Sequence, residues 1–330
     1  MVFGIRPRLG HNSTPLRPLR RVLVVVGVLA MVSAGRIGFG QEEKNVQIDT
    51  LSVLDTLYHL SGGGGNGLAL IDEINGGVVL VDTKLPGWGQ PVLDAVGQVT
   101  DLPVTTIINS HAHQGHAGSN AEFAEATSII AHERARDSMS RMELYAGADS
   151  AGLPTTTFSD RFSLLDGLDQ IELYYFGPAH TDGDIVVVFP AKGVAYLGDL
   201  FPTKAAPIID TANGGSGVAF PETLAKVVAG IEGVGRVITG HGPFPSTYAG
   251  RGRREVGNSR PWSGWMTWDD LAEYADFNRE FLAAADAAYG AGKTVEEAVA
   301  TLELPDRFSE YDMEQARANV EAIYNERATQ

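Results

Sequence analysis

Apolar and polar positions along the chain fall into short runs cut by glycine, asparagine and proline, the rhythm of strands joined by turns. A strand-like run near Leu51 to Leu60 meets Ser61-Gly62-Gly63-Gly64-Gly65-Asn66-Gly67, where four consecutive glycines predict a mobile loop. Leu68 to Ile74 and Val78 to Val81 flank Asn75-Gly76-Gly77, a hairpin signal. Next come a helix over Pro91 to Val99, a strand over Val104 to Ile108 and a helix over about Ser119 to Glu125. A strand over Ser128 to Ala131 and a charged helix from His132 to about Tyr145 follow. Strand-like segments continue at Thr156 to Leu164, Gln170 to Tyr175, Ile185 to Phe189 and Val194 to Leu197. Pro221 to Ile231 reads as helix, Arg236 to Ile238 as a short strand, and the chain after about Trp268 as helix, with Thr294-x-x-Glu297 at capping-box spacing. Trp262, Trp265 and Trp268 recur every three residues, as on a helix face packed against the body. Strands alternate with helices in each half and no Gly-x-Gly-x-x-Gly turn is present, which predicts an α/β layered domain rather than a dinucleotide fold.

The first 40 residues break this pattern. They carry six arginines and no acid, followed by an apolar run from Val22 to Ala34 that is short of the roughly 20 residues of a membrane span. Small residues at Val32-Ser33-Ala34 and Gly38-Phe39-Gly40 fit a cleavage rule, so residues 1–40 are expected to be a signal peptide, with an N-terminal anchor as the alternative. A periplasmic or secreted body without a stable membrane span is expected. The formal charge of −16 then becomes −22 over the remaining residues, 19 bases against 41 acids. A body this acidic repels phosphate and excludes nucleic acid as the expected partner. The chain has no cysteine, which removes disulfides, thiolate metal ligands, iron–sulfur clusters and cysteine nucleophiles. Any metal site must use histidine and carboxylate.

Five of the eight histidines fall in three short motifs. Asn109-Ser110-His111-Ala112-His113-Gln114-Gly115-His116 follows an apolar strand, Pro178-Ala179-His180-Thr181-Asp182-Gly183-Asp184 lies between two strands, and Thr239-Gly240-His241-Gly242-Pro243 again follows a strand. Loops at strand ends let a rigid sheet hold ligands while leaving room for substrate. His111 and His113, two apart in an extended segment, project to the same side. Such clustering is the usual sign of a metal site, and a tetrahedral zinc site needs two or three imidazoles and an open position for water.

His111-Ala112-His113-Gln114-Gly115-His116, then His180, then Leu197-Gly198-Asp199, then Gly240-His241-Gly242, resembles the ordered ligand set of the metallo-β-lactamase superfamily. The resemblance covers about residues 50–245. It implies an α/β fold of four layers, an αββα sandwich with two sheets face to face and helices outside, and a mono- or dinuclear metal centre at one edge. It divides the chain into a hydrolase domain over 41–250 and a helical C-terminal extension over 251–330. Carried over residue by residue, it assigns His111, His113 and His180 to a first metal and His116, Asp199 and His241 to a second, with Asp199 able to bridge both. Several β-lactamases of the superfamily have cysteine or serine in that place, so the aspartate makes the chain more similar to its glyoxalase, lactonase and general hydrolase branches. Phe176 through Asp184, Gly198-Asp199-Leu200-Phe201 and Gly64-Gly65-Asn66 resemble its exported hydrolases.

One position departs from the family pattern, His-x-His-x-Asp-His. Gly115 stands where that aspartate would bind the second metal, so a single metal is expected at the first site and a weaker one at the second. Zinc is the expected ion, with iron or manganese as alternatives. An ion held by three imidazoles lowers the pKa of bound water from 15.7 to about 7, so metal-bound water acts as the nucleophile and no protein nucleophile is required. This chemistry fits a small-molecule ester, lactone, thioester or β-lactam-type carbonyl. The alternatives are a mononuclear iron oxidoreductase acting on sulfur compounds, and a catalytically weakened metal-binding member of the family. Asp184 and Asp82 are candidates to hydrogen-bond or support the ligand histidines, each with an ordinary turn or strand-end role as the alternative. Gly63, Gly64, Gly65 and Asn66 form a candidate flap. His132 is read as a surface residue and His59 as an early-strand residue, both outside the site.

Overall fold

Many strands in this chain are apolar on both faces, which requires cover on both sides. The computed structural model describes residues 44–51, 56–123, 127–242 and 266–329, all within one compact unit, Lys44–Gln330. The expected signal peptide, Trp262 and Trp265 lie outside the described residues. Seven strands form the first sheet in sequence order: β1 Gln47–Thr50, β2 Leu57–Ser61, β3 Gly67–Asp72, β4 Gly77–Val81, β5 Val104–Ile108, β6 Ser128–His132 and β7 Thr156–Phe158. The second contains β8 Arg161–Leu164, β9 Ile171–Tyr174, β10 Val186–Phe189, β11 Val194–Tyr196 and β12 Arg236–Ile238, in the order β12-β11-β10-β9-β8. Pairing is antiparallel from β1 to β4 and parallel from β4 to β7; in the second sheet only β11 and β12 run parallel.

Alternation sorts the side chains into layers. Leu68 and Leu70, Val79 and Val81, meet Val187, Phe189, Val194 and Tyr196 between the sheets. The neighbours Ala69, Ile71, Val78 and Leu80 face α1 (Gly89–Val96) through Val92, Ala95 and Val96. On the far side, Val186, Val188, Ala195 and Val237 face α4 (Phe220–Gly230), α5 (Trp268–Gly290) and α7 (Ala316–Ala328). The result is the αββα order of layers, and each fully buried leucine in it contributes about 1.5–3 kcal/mol. The helices after residue 266 share one core with the second sheet rather than forming a separate one. The capping box at Thr294 and Glu297 opens α6 (Val295–Ala300), and Trp268 packs at the start of α5 with its indole N–H on Val228 O.

Three expectations shift. Thr156 to Leu164 is two strands, β7 and β8, because the chain turns at Ser159-Asp160 and changes sheet. The helix expected over Ser119 to Glu125 begins earlier, as the short α2 (Gln114–Ala117), and continues only as a 3-10 turn at Asn120–Glu122; residues 124–126 lie outside the described ones. Asn120 is drawn inward there, its amide bonded to Asn109 Oδ1 and Gly152 O. The charged helix is the shorter α3 (Glu133–Ser140), followed by a 3-10 turn at Glu143–Tyr145; the Tyr145 hydroxyl donates to Ala117 O.

Candidate metal centre

β4, β5, β9, β11 and β12 all point their C-terminal ends to one edge of the sandwich, where an α/β layered fold places its ligands. Asp82 follows β4, His111, His113 and His116 follow β5, and His180 follows β9. Asp199 follows β11 and His241 follows β12. Main-chain bonds tie these ends together, Asp82 N to Ile108 O (2.9 Å), Ile185 N to Ser110 O (2.9 Å) and Leu197 N to Ile238 O (3.0 Å).

The six residues assemble into two groups that share Asp199. Donor atoms of His111, His113, His180 and Asp199 lie within 4.8 Å of one another, as do those of His116, Asp199 and His241. Asp199 divides its carboxylate between them. Oδ2 stands 3.8 Å from His111 Nε2 and 3.5 Å from His180 Nε2, while Oδ1 stands 3.4 Å from His116 Nε2 and 3.3 Å from His241 Nε2.

The outward nitrogens fix the tautomers. His116 Nδ1 meets Asp82 Oδ2 (2.7 Å), His113 Nε2 meets Asp210 Oδ2 (2.7 Å), His180 Nδ1 meets Ile208 O (2.7 Å), and His111 Nδ1 meets Ser110 Oγ (3.0 Å). Carboxylates and carbonyls only accept, and the Ser110 hydroxyl gives its own proton to Asp82 Oδ2 (2.7 Å). On each of these four rings the outer nitrogen therefore carries a proton, and in the neutral form of the ring a lone pair turns inward. His113 Nδ1 and His180 Nε2 then face each other at 2.8 Å, lone pair to lone pair. Buried His111 Nε2 and Asp199 Oδ1 have no hydrogen-bond partner. Converging lone pairs and an orphaned carboxylate oxygen fit a cation, and the imidazole and carboxylate donors suit a divalent metal ion.

Burial and neighbouring charge together set the charge states. Burial, with His116 nearby, holds His111 well below its ordinary pKa, and burial beside His180 lowers His113, so both present neutral imidazole. Burial also works against charge on His116, but the carboxylates of Asp199 and Asp82 outweigh it and raise that ring to about 10, so its Nε2 also holds a proton toward Asp199 that an ion bound there would displace. Burial pushes the Asp199 carboxyl up, yet the histidines around it, His116 foremost, hold it well below the usual range. Access is from one side: the His241 and His113 side chains are 45% and 28% exposed, against 2% or less for His111, His116 and His180.

Asp82 is a left-handed residue (φ 63) with no exposed surface, accepting from Ser110 N (2.8 Å), Ser110 Oγ, His116 Nδ1 and the Tyr196 hydroxyl (2.7 Å). Asp184 does not reach a ligand histidine. Its carboxylate accepts from Thr181 N (2.7 Å) and Thr181 Oγ1 (2.8 Å), the turn role, and burial raises it to about 6. His132 is not a surface residue: it is buried, stacked on Tyr175 at 3.8 Å, with Nε2 on Ser159 O, and stands outside the cluster. His59 is buried in β2, also outside it. The glycine segment is a wall rather than a free flap. Gly65 N bonds Gly115 O (3.0 Å), Leu85 N bonds Gly63 O (2.8 Å), and a Cβ on Gly65 would fall 2.2 Å from His116 Cε1. Glycine is required by that approach, and the same holds for Gly240, where a Cβ would meet Asp199 Oδ1 at 2.1 Å. At Gly115 a Cβ would meet only Gly65 N, at 3.7 Å.

Sequence reasoning missed Ser110, Tyr196, Asp210 and Lys84. Asp210 lies 97 residues from the histidine it holds, and only the Asp-Thr-Ala-Asn-Gly-Gly turn chemistry around it gave a local signal. Lys84, also left-handed (φ 74), has no exposed surface, and burial brings its ammonium down to about 7.

The two-sheet frame and the shared-carboxylate donor set define a metal-binding enzyme of the metallo-hydrolase class. A model of the metallo-beta-lactamase superfamily matches residues 62–246, and the chain belongs to that superfamily. The chain is 35% identical over 129 residues to the 2,4-dinitroanisole O-demethylase subunit alpha of Nocardioides sp. (strain JS1661), a match covering 37% of this chain and only 38% of that relative's length. It is 27% identical over 201 residues to a metallo-beta-lactamase type 2 of Bacteroides fragilis, covering 58% of this chain and 76% of that one. Among solved structures, a double mutant of the sec-alkyl sulfatase PisA1 is similar with TM-score 0.66 and 15% identity, over 86% of this chain and 50% of that one. A metallo-beta-lactamase from Pontibacter korlensis is similar with TM-score 0.55 and 17% identity, over 71% and 99%. At these identities the structural likeness speaks for the fold.

Proposed function

We propose that this protein is an exported, zinc-dependent hydrolase of small molecules carrying an ester, lactone, thioester or β-lactam-type carbonyl. The observation that carries the reading is the pair of donor groups meeting on Asp199, one carboxylate oxygen to each. His111 Nε2, His113 Nδ1 and His180 Nε2, with Asp199 Oδ2, would hold the first ion; His116 Nε2, His241 Nε2 and Asp199 Oδ1 would hold the second. A divalent ion bound there supplies a Lewis acid and a water activated near neutral pH. The chain's own part is orientation: Ser110, Asp210, the Ile208 carbonyl and Asp82 each keep a ring proton away from the cluster. Ser110 is not a nucleophile beside His111, because it is 1% exposed and its hydroxyl proton belongs to Asp82. Export is supported by the arginine-rich segment with its apolar run at Val22 to Ala34, and no helix of the described residues is long and apolar enough to cross a membrane.

Gly115 leaves the second group with three donors, so that ion is the weaker one. The test is metal analysis of the purified protein, followed by hydrolysis of a lactone, thioester and chromogenic cephalosporin panel with added zinc. Zinc at one to two equivalents and turnover abolished by His111→Ala are expected; Gly115→Asp, for which there is room, strengthens the second ion and raises turnover. Stoichiometric iron with oxygen uptake on a persulfide, or turnover indifferent to His111→Ala, overturns the reading.

A further inference from the structure

The Gly62 to Asn66 segment is bonded to both loops that carry the second donor group. Gly65 N–H donates to the carbonyl of Gly115, the residue before His116 (3.0 Å), and Asn66 N–H donates to the carbonyl of Gly240, the residue before His241 (2.7 Å). Asn66 Nδ2 adds a bond to Thr239 O (2.9 Å). One short stretch of backbone thus spans two loops lying 125 residues apart, whose imidazole Nε2 atoms stand 3.4 Å from each other. Lys84 Nζ donates to Leu60 O (2.8 Å) and Gly65 O (2.6 Å), one carbonyl before the glycine run and one at its last residue. Three of those glycines have left-handed φ (92, 72 and 116), so the run has little conformational preference of its own and needs an external hold. Two converging carbonyls need a donor with at least two hydrogens, and a lysine amine supplies them whether charged or neutral. A buried lysine with this geometry has no part in binding the ions themselves, since its nitrogen is engaged by main-chain oxygens.

We infer that Lys84 is a positioning residue for the second metal: by clamping Leu60 and Gly65 it seats the glycine segment against Gly115 and Gly240 and so sets the spacing of His116 and His241. The inference rests on the two-ion reading of the donor groups. Its test is a zinc titration of the full chain against a competing chelator, resolving the two stepwise constants, with cobalt(II) absorption as a second signature of each site. Lys84→Met keeps the length of the side chain and removes both donors. The second constant is expected to weaken by about 10–100-fold, the usual effect of removing an outer support, while the first is unchanged. Asn66→Ala cuts the bond to Thr239 with Lys84 intact, gives the same selective loss, and serves as the reporter should Lys84→Met not fold. An unchanged second constant, or two constants that fall together, overturns the inference while leaving the two-ion reading standing. A wild-type protein that takes up a single ion even in excess zinc overturns both.

Discussion

Asp82 offers the sharpest separation between holding the fold and setting the metal. Replacing it with alanine removes the acceptor for four donors. One has an alternative, since the Tyr196 hydroxyl also faces Asn66 O at 2.8 Å. The Ser110 hydroxyl, Ser110 N–H and His116 Nδ1–H are left stranded among buried groups, because His111 Nδ1 carries its own proton and cannot accept from Ser110. At about 1–3 kcal/mol for each stranded donor, Asp82→Ala costs about 3–9 kcal/mol, a large part of the roughly 5–15 kcal/mol that holds a domain. Asp82→Asn behaves differently because it keeps the volume. The amide oxygen can serve Ser110 N–H, but the amide NH2 then lies where Oδ2 met Ser110 Oγ, Tyr196 and His116 Nδ1. The hydroxyls can reverse. The imidazole can accept at Nδ1 only by moving its proton to Nε2, the nitrogen that faces Asp199 Oδ1 at 3.4 Å. Exchanging a charged acceptor for a neutral one costs about 1–2 kcal/mol in stability, whereas the ligand nitrogen is blocked and the second ion weakens by about 10–100-fold. Urea unfolding of the metal-stripped variants gives the first quantity and chelator competition the second. Long-range nitrogen NMR of the His116 ring reads the tautomer directly. A proton that remains on Nδ1 in Asp82→Asn, or a second ion bound as in wild type, would show that Asp82 does not set the His116 tautomer.

Three further outcomes follow from the same geometry. Asp210→Asn disturbs the 2.7 Å bond that keeps the His113 proton on Nε2, so the first ion, not the second, weakens by about 10–100-fold in the same titration. Gly65→Ala places a methyl 2.2 Å from His116 Cε1; thermal melts should show about 1–3 kcal/mol of destabilisation with loss of the second ion, and an unperturbed second constant would contradict the wall. Lys84 sits at about 7 when folded against 10.5 when unfolded. The unfolded chain therefore binds the extra proton between these values, and stability should rise with pH through that window, the burial penalty being complete below about 7. In Lys84→Met the rise disappears from urea unfolding profiles recorded between pH 6 and 10, and its persistence would assign it to other groups.

The layered fold was legible because its signals are local. The Asn75-Gly76-Gly77 turn, the doubly apolar strands β3, β4, β10 and β11, and the capping box at Thr294 all act within a few residues. Misreadings arose where tertiary contacts override local pattern. Thr156 to Leu164 looks like one strand because each half has strand composition, yet its halves are claimed by different sheets. The four glycines read as mobile because flexibility is what glycine confers in isolation, whereas here the missing side chains permit contact with His116 and Gly115. His132 looked exposed at the head of a charged helix, and a stack on Tyr175 buries it.

The inventory and order of the donors, His111, His113, His116, His180, Asp199 and His241, and their position on loops at strand ends, are written in local sequence. Without cysteine, no thiolate could enter that set. How the donors are aimed is settled by packing across the fold. Which nitrogen of each ring turns inward depends on Asp82, Ser110, Ile208 and Asp210, and all but Ser110 lie 28 or more residues from the histidine they orient. The division of Asp199 between two groups depends on β11 lying beside β12, with both facing the end of β5 across the sandwich. Periodicity and turn chemistry act over a few residues, whereas the proton on an imidazole is placed by whatever carboxylate or carbonyl the packed sheets bring within 3 Å of it.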